Sequence, residues 1–490
     1  MFRFSKSLSV SLLMALPVVA GAQWSSDPND GLRVDDGINV ALSLFGFPDH
    51  QGGAVFSWGN YSAFATIQSS SLQRVSADGY ALWRSQDANL PSYNQYLGER
   101  PAVADSDGNT YVVHQDTSEW LPVVVQKFNP YGEAQWPGLG VRVSTFEEDH
   151  HREDPLCMVL NDDNTVIVFW RDNRITGGST MFTQKIGASG ERLWGDAGVR
   201  VSMSDVFSQT FGQCVSDDAG GAILIWVDSR LGSAQSDIFA QRISADGQRL
   251  WGDDDIIVCD ADGYQRGPKV KSDGNGGAVV IWQDSRATRT ECYVQRIDGG
   301  GNSLWAPNGI PFSTTNIASL WGDLLVQDDH AWVMSEFTSG YGANNIRIQK
   351  FDLATGTRQL GNLGVGVLPG YYGEGATFET DSENGVVVAW RDHRTTTAHN
   401  VVYAQRLDAA GEALWETNGV PISTYPSRKT TIALVPVGGA NTIVGWVDER
   451  NDTSGNGGTY GYHINPYAAY LLPDGTLLGT TGVSEWQLWQ

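Results

Sequence analysis

The chain of 490 residues predicts an all-β fold, a single eight-bladed β-propeller of four-stranded antiparallel blades. Three markers, in phase along the sequence, carry that expectation. A glycine-led apolar run ends in Trp at Trp58, Trp170, Trp226, Trp282, Trp390 and Trp446. His114 and Ser335 stand at the two stations without Trp, and successive stations lie 53 to 56 residues apart. Each of the first seven units then carries Gln followed by Arg or Lys, from Gln73-Arg74 to Gln405-Arg406, with Ala469-Tyr470 in the eighth. A Gly-containing turn leads to a further Trp at Trp83, Trp136, Trp194, Trp251, Trp305 and Trp415, with Leu360 and Leu478 in units six and eight.

The fifth unit shows how one blade is read. Lys269 to Ser272 makes a short strand, and Asp273-Gly274-Asn275-Gly276 is a hairpin turn. Ala278 to Trp282 is nearly continuous in apolar residues, as a strand buried on both faces is. Cys292 to Ile297 alternates, Asp298 to Asn302 turns, and Leu304 to Ser313 forms the last strand. No unit holds a 3.6-residue pattern long enough for a crossover helix. Short antiparallel sheets repeated radially are propeller blades. A β-helix needs shorter coils, and sandwich domains need about twice this length per unit.

The ends of the chain read as one blade. Gln23-Trp24 followed by Gly31-Leu32-Arg33-Val34 matches Gln135-Trp136 followed by Gly140-Val141-Arg142-Val143, which belongs to a last strand. The N-terminus is therefore expected to supply the outer strand of blade eight and to hide an open sheet edge. The tail Gly482 to Gln490 is the competitor for that edge.

Before it, Arg3 and Lys6, the apolar stretch Leu8 to Ala20 and the small residues Ala20-Gly21-Ala22 form a secretory leader, with cleavage before Gln23. Residues 1–22 are thus expected to be removed and 23–490 to be exported, to the periplasm or beyond. The net charge of −24 repels phosphate backbones and disfavours nucleic acid. No later run is long enough for membrane insertion. Of Cys157, Cys214, Cys259 and Cys292, at most one pair is expected to bridge, the rest being buried as small hydrophobes.

After five of the repeated Trp residues comes an Asp–Arg pair: Trp170/Asp172/Arg174, Trp226/Asp228/Arg230, Trp282/Asp284/Arg286, Trp390/Asp392/Arg394 and Trp446/Asp448/Arg450. Residues i and i+2 of an extended chain share a face. The sets are expected to form a structural Asp–Arg lattice with Arg stacked on Trp, rather than a ring of charge at the channel mouth. The pattern resembles the W-x-D-x-R propeller repeats of exported bacterial proteins. It is also similar to TolB-type blades and, more weakly, to quinoprotein blades. The resemblance implies the fold and says little of activity.

Other motifs read mainly as turns. Asp105-Ser106-Asp107-Gly108-Asn109 looks like part of a calcium loop but lacks the bidentate Glu and aligns with a hairpin turn. No cofactor is expected beyond that calcium possibility, and no protein metal site. Ser76 to Gly79 and Ser244 to Gly247 echo the sialidase Asp-box, yet Asp and Gly are also what tight turns need. No nucleophile elbow, zinc-protease or P-loop motif occurs, so catalytic residues remain unknown.

The turns joining strands one to two and three to four are stereotyped, whereas the other two connections vary and emerge on the opposite side. Binding is expected on that variable face. Its candidate residues are Arg100, His150, His151, Arg152, Tyr264, Arg266, Trp321, Tyr371, Tyr372, Glu374 and Arg428, with Tyr425 beside the last. Aromatic rings near carboxylates and Arg suit a sugar or a peptide. The leading expectation is a secreted, non-enzymatic propeller that binds a glycan or a protein. A polysaccharide hydrolase or lyase and a quinoprotein-like propeller are the alternatives.

Overall fold

The computed structural model describes residues 24–34, 40–61, 67–83, 89–91, 102–116, 121–145, 153–174, 180–204, 209–231, 235–315, 318–338, 344–368, 373–394, 399–450 and 464–479. They contain no helix and form eight four-stranded antiparallel sheets arranged as the blades of a propeller. Blade 5 consists of Gln265–Ser272, Ala278–Asp284, Glu291–Ile297 and Ile310–Pro311, paired in that order. The other blades follow the same order, with first strands at Val40–Pro48, Ala102–Ala104, Glu153–Leu160, Thr210–Ser216, Ser319–Gln327, Gly373–Thr380 and Lys429–Gly438.

Two boundaries differ from the sequence reading. The inner strand of blade 5 begins at Gln265, because a bulge between Arg266 and Lys269 carries the pairing through Gly267-Pro268. The expected strand Leu304 to Ser313 is interrupted. Ser303 bridges Ile297, and Asn308 and Gly309 then take φ of 60° and 77° before Ile310–Pro311 pairs. That kink lets Trp305 turn inward, 8% exposed, where its indole N–H donates to Leu353 O of blade 6 at 3.2 Å.

Closure follows the same grammar. Leu32–Arg33 pairs with Ala468 and Tyr467, so the N-terminal segment is the fourth strand of blade 8. Trp24 donates to Ala77 O of blade 1 at 2.6 Å, as Trp251 donates to Gly299 O of blade 5 at 3.1 Å. A Cβ at Gly31 would sit 2.4 Å from the Trp446 ring, and one at Gly309 would sit 2.4 Å from Trp282. At these two stations glycine leaves the space that the ring of the repeated Trp fills.

The core lies between the blades. Clusters such as Ile225, Val258, Val280 and Trp282 join blades 4 and 5, and equivalent ones recur around the ring. The repeated Gln is buried and braces the turn to its Trp: Gln241 accepts from Trp251 N at 3.0 Å and donates to Gly252 O at 2.8 Å. The Arg after it crosses the seam. Arg242 pairs with Asp217 at 2.9 Å and donates to Gly299 O of the next blade at 2.9 Å. One disulfide, Cys157–Cys214, ties the inner strands of blades 3 and 4, while Cys259 and Cys292 are free and buried.

Candidate functional site

The W-x-D-x-R stations end the second strands on the variable side. Their carboxylates are sealed, with Asp172, Asp228, Asp284, Asp392 and Asp448 all 0–1% exposed. Asp392 accepts from Trp390 Nε1 at 2.8 Å and from Arg394 Nε and Nη2 at 2.9 and 2.6 Å. The guanidinium lies 3.8 Å above the Tyr403 ring on the third strand and donates to Asn418 O at 2.7 Å. Arg174 and Arg230 also reach back to Ser144 and Ser202 of the preceding blades, at 3.1 and 3.0 Å. In blade 8, Arg450 donates to Asn29 O at 3.0 Å, so the N-terminal segment completes this lattice too. These groups are engaged in holding strands together. Blade 6 lacks the set, and Phe337 packs edge-on to Phe312 there, with centroids 5.3 Å apart.

The turn at Asp105 is likewise occupied. Asp105 Oδ1 accepts the amides of Asp107 and Asn109 at 3.1 and 2.8 Å, and Oδ2 accepts from Asn109 Nδ2 and Tyr111 OH at 2.9 and 3.3 Å. Among the described residues no three His, Cys, Asp or Glu converge as a metal set.

Of the residues expected on the variable face, Arg100, His150, His151, Arg152, Tyr371 and Tyr372 lie outside the described residues. Trp321 sits on the inner strand of blade 6, and its side chain is outside them as well. Tyr264 and Arg266 open blade 5. The backbone of Tyr264 bridges Ser236 and accepts from Ser285 N at 2.9 Å, yet its ring is 47% exposed. Arg266 stacks at 5.6 Å from that ring. Before blade 8, Tyr425 is 36% exposed and lies over Arg450 at 4.5 Å, which itself lies over Tyr467 at 4.1 Å. Buried Lys429 holds the Tyr425 loop from below, donating to Tyr425 O and to Ser427 O and Oγ, the latter two at 3.1 Å. Burial, only partly offset by Asp448, pulls the Lys429 ammonium down to about 8. Arg428, more than half exposed, pairs with Glu449 at 3.4 Å.

Glu374 is joined by residues that the sequence reading passed over. Its Oε1 is 3.1 Å from His393 Nε2 and 3.5 Å from Arg391 Nη1. Glu336, from blade 6, accepts from Ala376 N at 3.0 Å. Burial raises its carboxyl, against the lowering effect of that amide and of Arg391. His393 and Arg391 were hidden because they occupy variable positions of the Trp390–Arg394 motif, which reads as lattice. Two residues past Glu374, Ala376 enters the channel wall, so this cluster stands at the mouth.

The channel is a cavity of about 610 Å³ walled by the inner strands of all eight blades. Register sets its levels. Phe45, Cys157, Gln213, Lys269, Asp323, Thr377 and Ala433 each pair with the residue just before the Trp station. Two residues further on come Phe47, Val103, Val215, Lys271, Leu325 and Glu379. At these two levels polar groups thus gather on blades 4–7 and apolar ones on blades 8, 1 and 2, while His50 and Thr431 add polar lining on blades 1 and 8.

No family model and no curated protein matches the chain. Solved structures with a similar fold include an ulvan lyase of polysaccharide lyase family PL25 (12% identity, 77% of this chain and 92% of that chain, TM-score 0.46). Polysaccharide lyase Uly1 is 9% identical over 78% of this chain and 91% of its own, with a TM-score of 0.47. The β-propeller domain of the Trilobed protease from Pyrococcus furiosus is 8% identical over 78% and 99%, with a TM-score of 0.41. At this distance none of them lends an activity to the chain.

Proposed function

We propose that the protein is an exported propeller, related to the W-x-D-x-R repeat proteins, that binds a glycan on its variable face. The supporting observation is the pair Tyr264 and Tyr425. Both rings are exposed by a third or more, while their loops are pinned by backbone bonds and by buried Lys429. A fixed, solvent-facing ring beside Arg offers the flat apolar surface and polar edge that a sugar uses, at little entropic cost on binding. A glycan array followed by calorimetry on the mature protein tests this. Tyr264→Ala and Tyr425→Ala are each expected to weaken binding about tenfold, on the order of 1.4 kcal/mol. Unchanged affinity in both variants would place binding elsewhere, and capture of a defined protein with no glycan bound would favour the peptide reading.

A second reading, glycan cleavage, has its own support in the cluster at the mouth. One carboxyl raised by burial (Glu336) beside another paired with His393 and Arg391 (Glu374) is an acid–base arrangement. Release of new chain ends from a bound polysaccharide, lost in Glu336→Gln, is the expected result; binding without any release removes this reading.

A further inference from the structure

We propose that the axial channel itself is a subsite, and that it takes the end of a neutral glycan chain rather than an acidic one. This rests on the glycan-binding reading and adds both a place and a class of sugar. The channel is divided lengthwise. Phe45 and Phe47, both half-buried and both lining it, come from blade 1. Blade 5, directly across an eight-membered ring, presents Lys269 and Lys271, with Gln213 and Asp323 on the blades beside it and Thr377 on blade 7. A pyranose has the same division, apolar C–H faces and a rim of hydroxyls that both donate and accept. The volume, about 610 Å³, falls within the roughly 300–1,000 Å³ range of small-ligand sites.

The preference for a neutral sugar follows from charge. Lys269 already pairs with Asp323 at 3.4 Å, and Lys271 and Glu379 are engaged as well. The wall therefore offers donors and acceptors in balance, as hydroxyls require. A uronate or sulfate would have to break the Lys269–Asp323 pair and then face Asp323 and Glu379 at close range. The field of a chain with net charge −24 acts in the same direction. The disulfide Cys157–Cys214 sits where the apolar wall meets the polar one and fixes the two inner strands there.

The test is calorimetry of the mature protein with xylotriose, cellotriose, mannotriose and trigalacturonate, chosen to be short enough to sit within the channel. At least one neutral trisaccharide is expected to bind, at least tenfold more tightly than trigalacturonate. Phe45→Ala and Lys269→Met are each expected to weaken it tenfold or more, while Tyr131→Ala, which removes an exposed ring from a turn of the opposite face, changes it by less than threefold. If Phe45→Ala does not fold, Phe45→Leu keeps the apolar volume, removes the ring and reads the same contact. Trisaccharide binding that responds to Tyr264→Ala or Tyr425→Ala but not to the channel variants overturns this inference and leaves the loop-face reading standing. Tighter binding of trigalacturonate overturns the neutral preference. No binding of any glycan, short or long, overturns both readings.

Discussion

Asp237 occupies an inter-blade station whose chemistry can be read by comparison with its neighbour. It opens the third strand of blade 4, opposite Asp228, and Ser236 beside it bonds to Gln265 of blade 5 through both its carbonyl and its hydroxyl. The equivalent pair one seam earlier, Thr180 and Gln209, is hydrogen bonded at 3.3 Å. Asp237 and Gln265 are each 0% exposed, yet neither carboxylate oxygen nor either amide atom finds a hydrogen-bond partner among the described residues. Burial first, then the charges of Asp260 and Asp228, push the Asp237 carboxyl up from 3.8 to about 6. Below about pH 4 the group is protonated in the folded and unfolded chain alike. Between about 4 and 6 only the folded chain keeps the proton, so stability falls as pH rises through this window and levels off above it. The full shift corresponds to about 3 kcal/mol. Local relaxation and water penetration bring such burial penalties below their full value, so on the order of 1–2 kcal/mol is expected. Unfolding entropy of about 2 cal/mol/K per residue makes each kcal/mol worth about 1 °C in a chain of this size. Asp237→Asn is therefore expected to melt about 1–2 °C above the wild type at pH 7.5 and together with it at pH 4, in calorimetric scans across the range. An offset that does not change with pH, or a variant less stable throughout, refutes the burial argument.

Trp24→Ala is expected to lower the melting temperature by about 3–5 °C. It removes a 3% exposed indole, worth about 3–5 kcal/mol in a core, together with its bond to Ala77. Trp136→Ala, at the same station inside blade 2, should cost about as much, and a silent Trp24→Ala would mean that the N-terminal strand does not close the ring. Reducing Cys157–Cys214, which spans 57 residues, is expected to cost about 4 kcal/mol on loop entropy. The check is thermal melting with and without reductant, using Cys157→Ser/Cys214→Ser as the control that no longer responds. Asp392→Ala strands Arg394 and the Trp390 indole in a buried site, which should destabilise by about 3–5 kcal/mol. Ser335, at the Trp station of blade 6, one of the blades without the pair, should tolerate Ala with a shift under about 1 °C.

The ring was legible in the sequence because each of its joints is a residue type with one obvious use. Trp fills a seam, Gln braces a turn, and Gly31 and Gly309 admit the Trp ring. Closure was legible for the same reason, since Trp24 and Leu32-Arg33 repeat a pattern already read elsewhere. The start of the inner strand of blade 5 was not, because Gly267-Pro268 looks like loop until a bulge carries the ladder past it. The levels of the channel depend on those bulges, so Phe45 opposite Lys269 could not be read from spacing alone. The mouth cluster was half legible. Glu374 stands out on a variable loop, whereas Arg391 and His393 are masked inside a structural motif and Glu336 comes from the neighbouring blade.

A constant ring carries a variable mouth that opens into a divided channel. Hydrogen–deuterium exchange of the protein, with and without a saturating oligosaccharide, tests that arrangement most directly. Protection is expected in the loops around Tyr264 and Tyr425 and along the inner strands Val40–Pro48 and Gln265–Ser272, with the Asp–Gly turns of the opposite face unchanged. Protection centred on those turns, at Asp105–Asn109 or Ser244–Gly247, would contradict it.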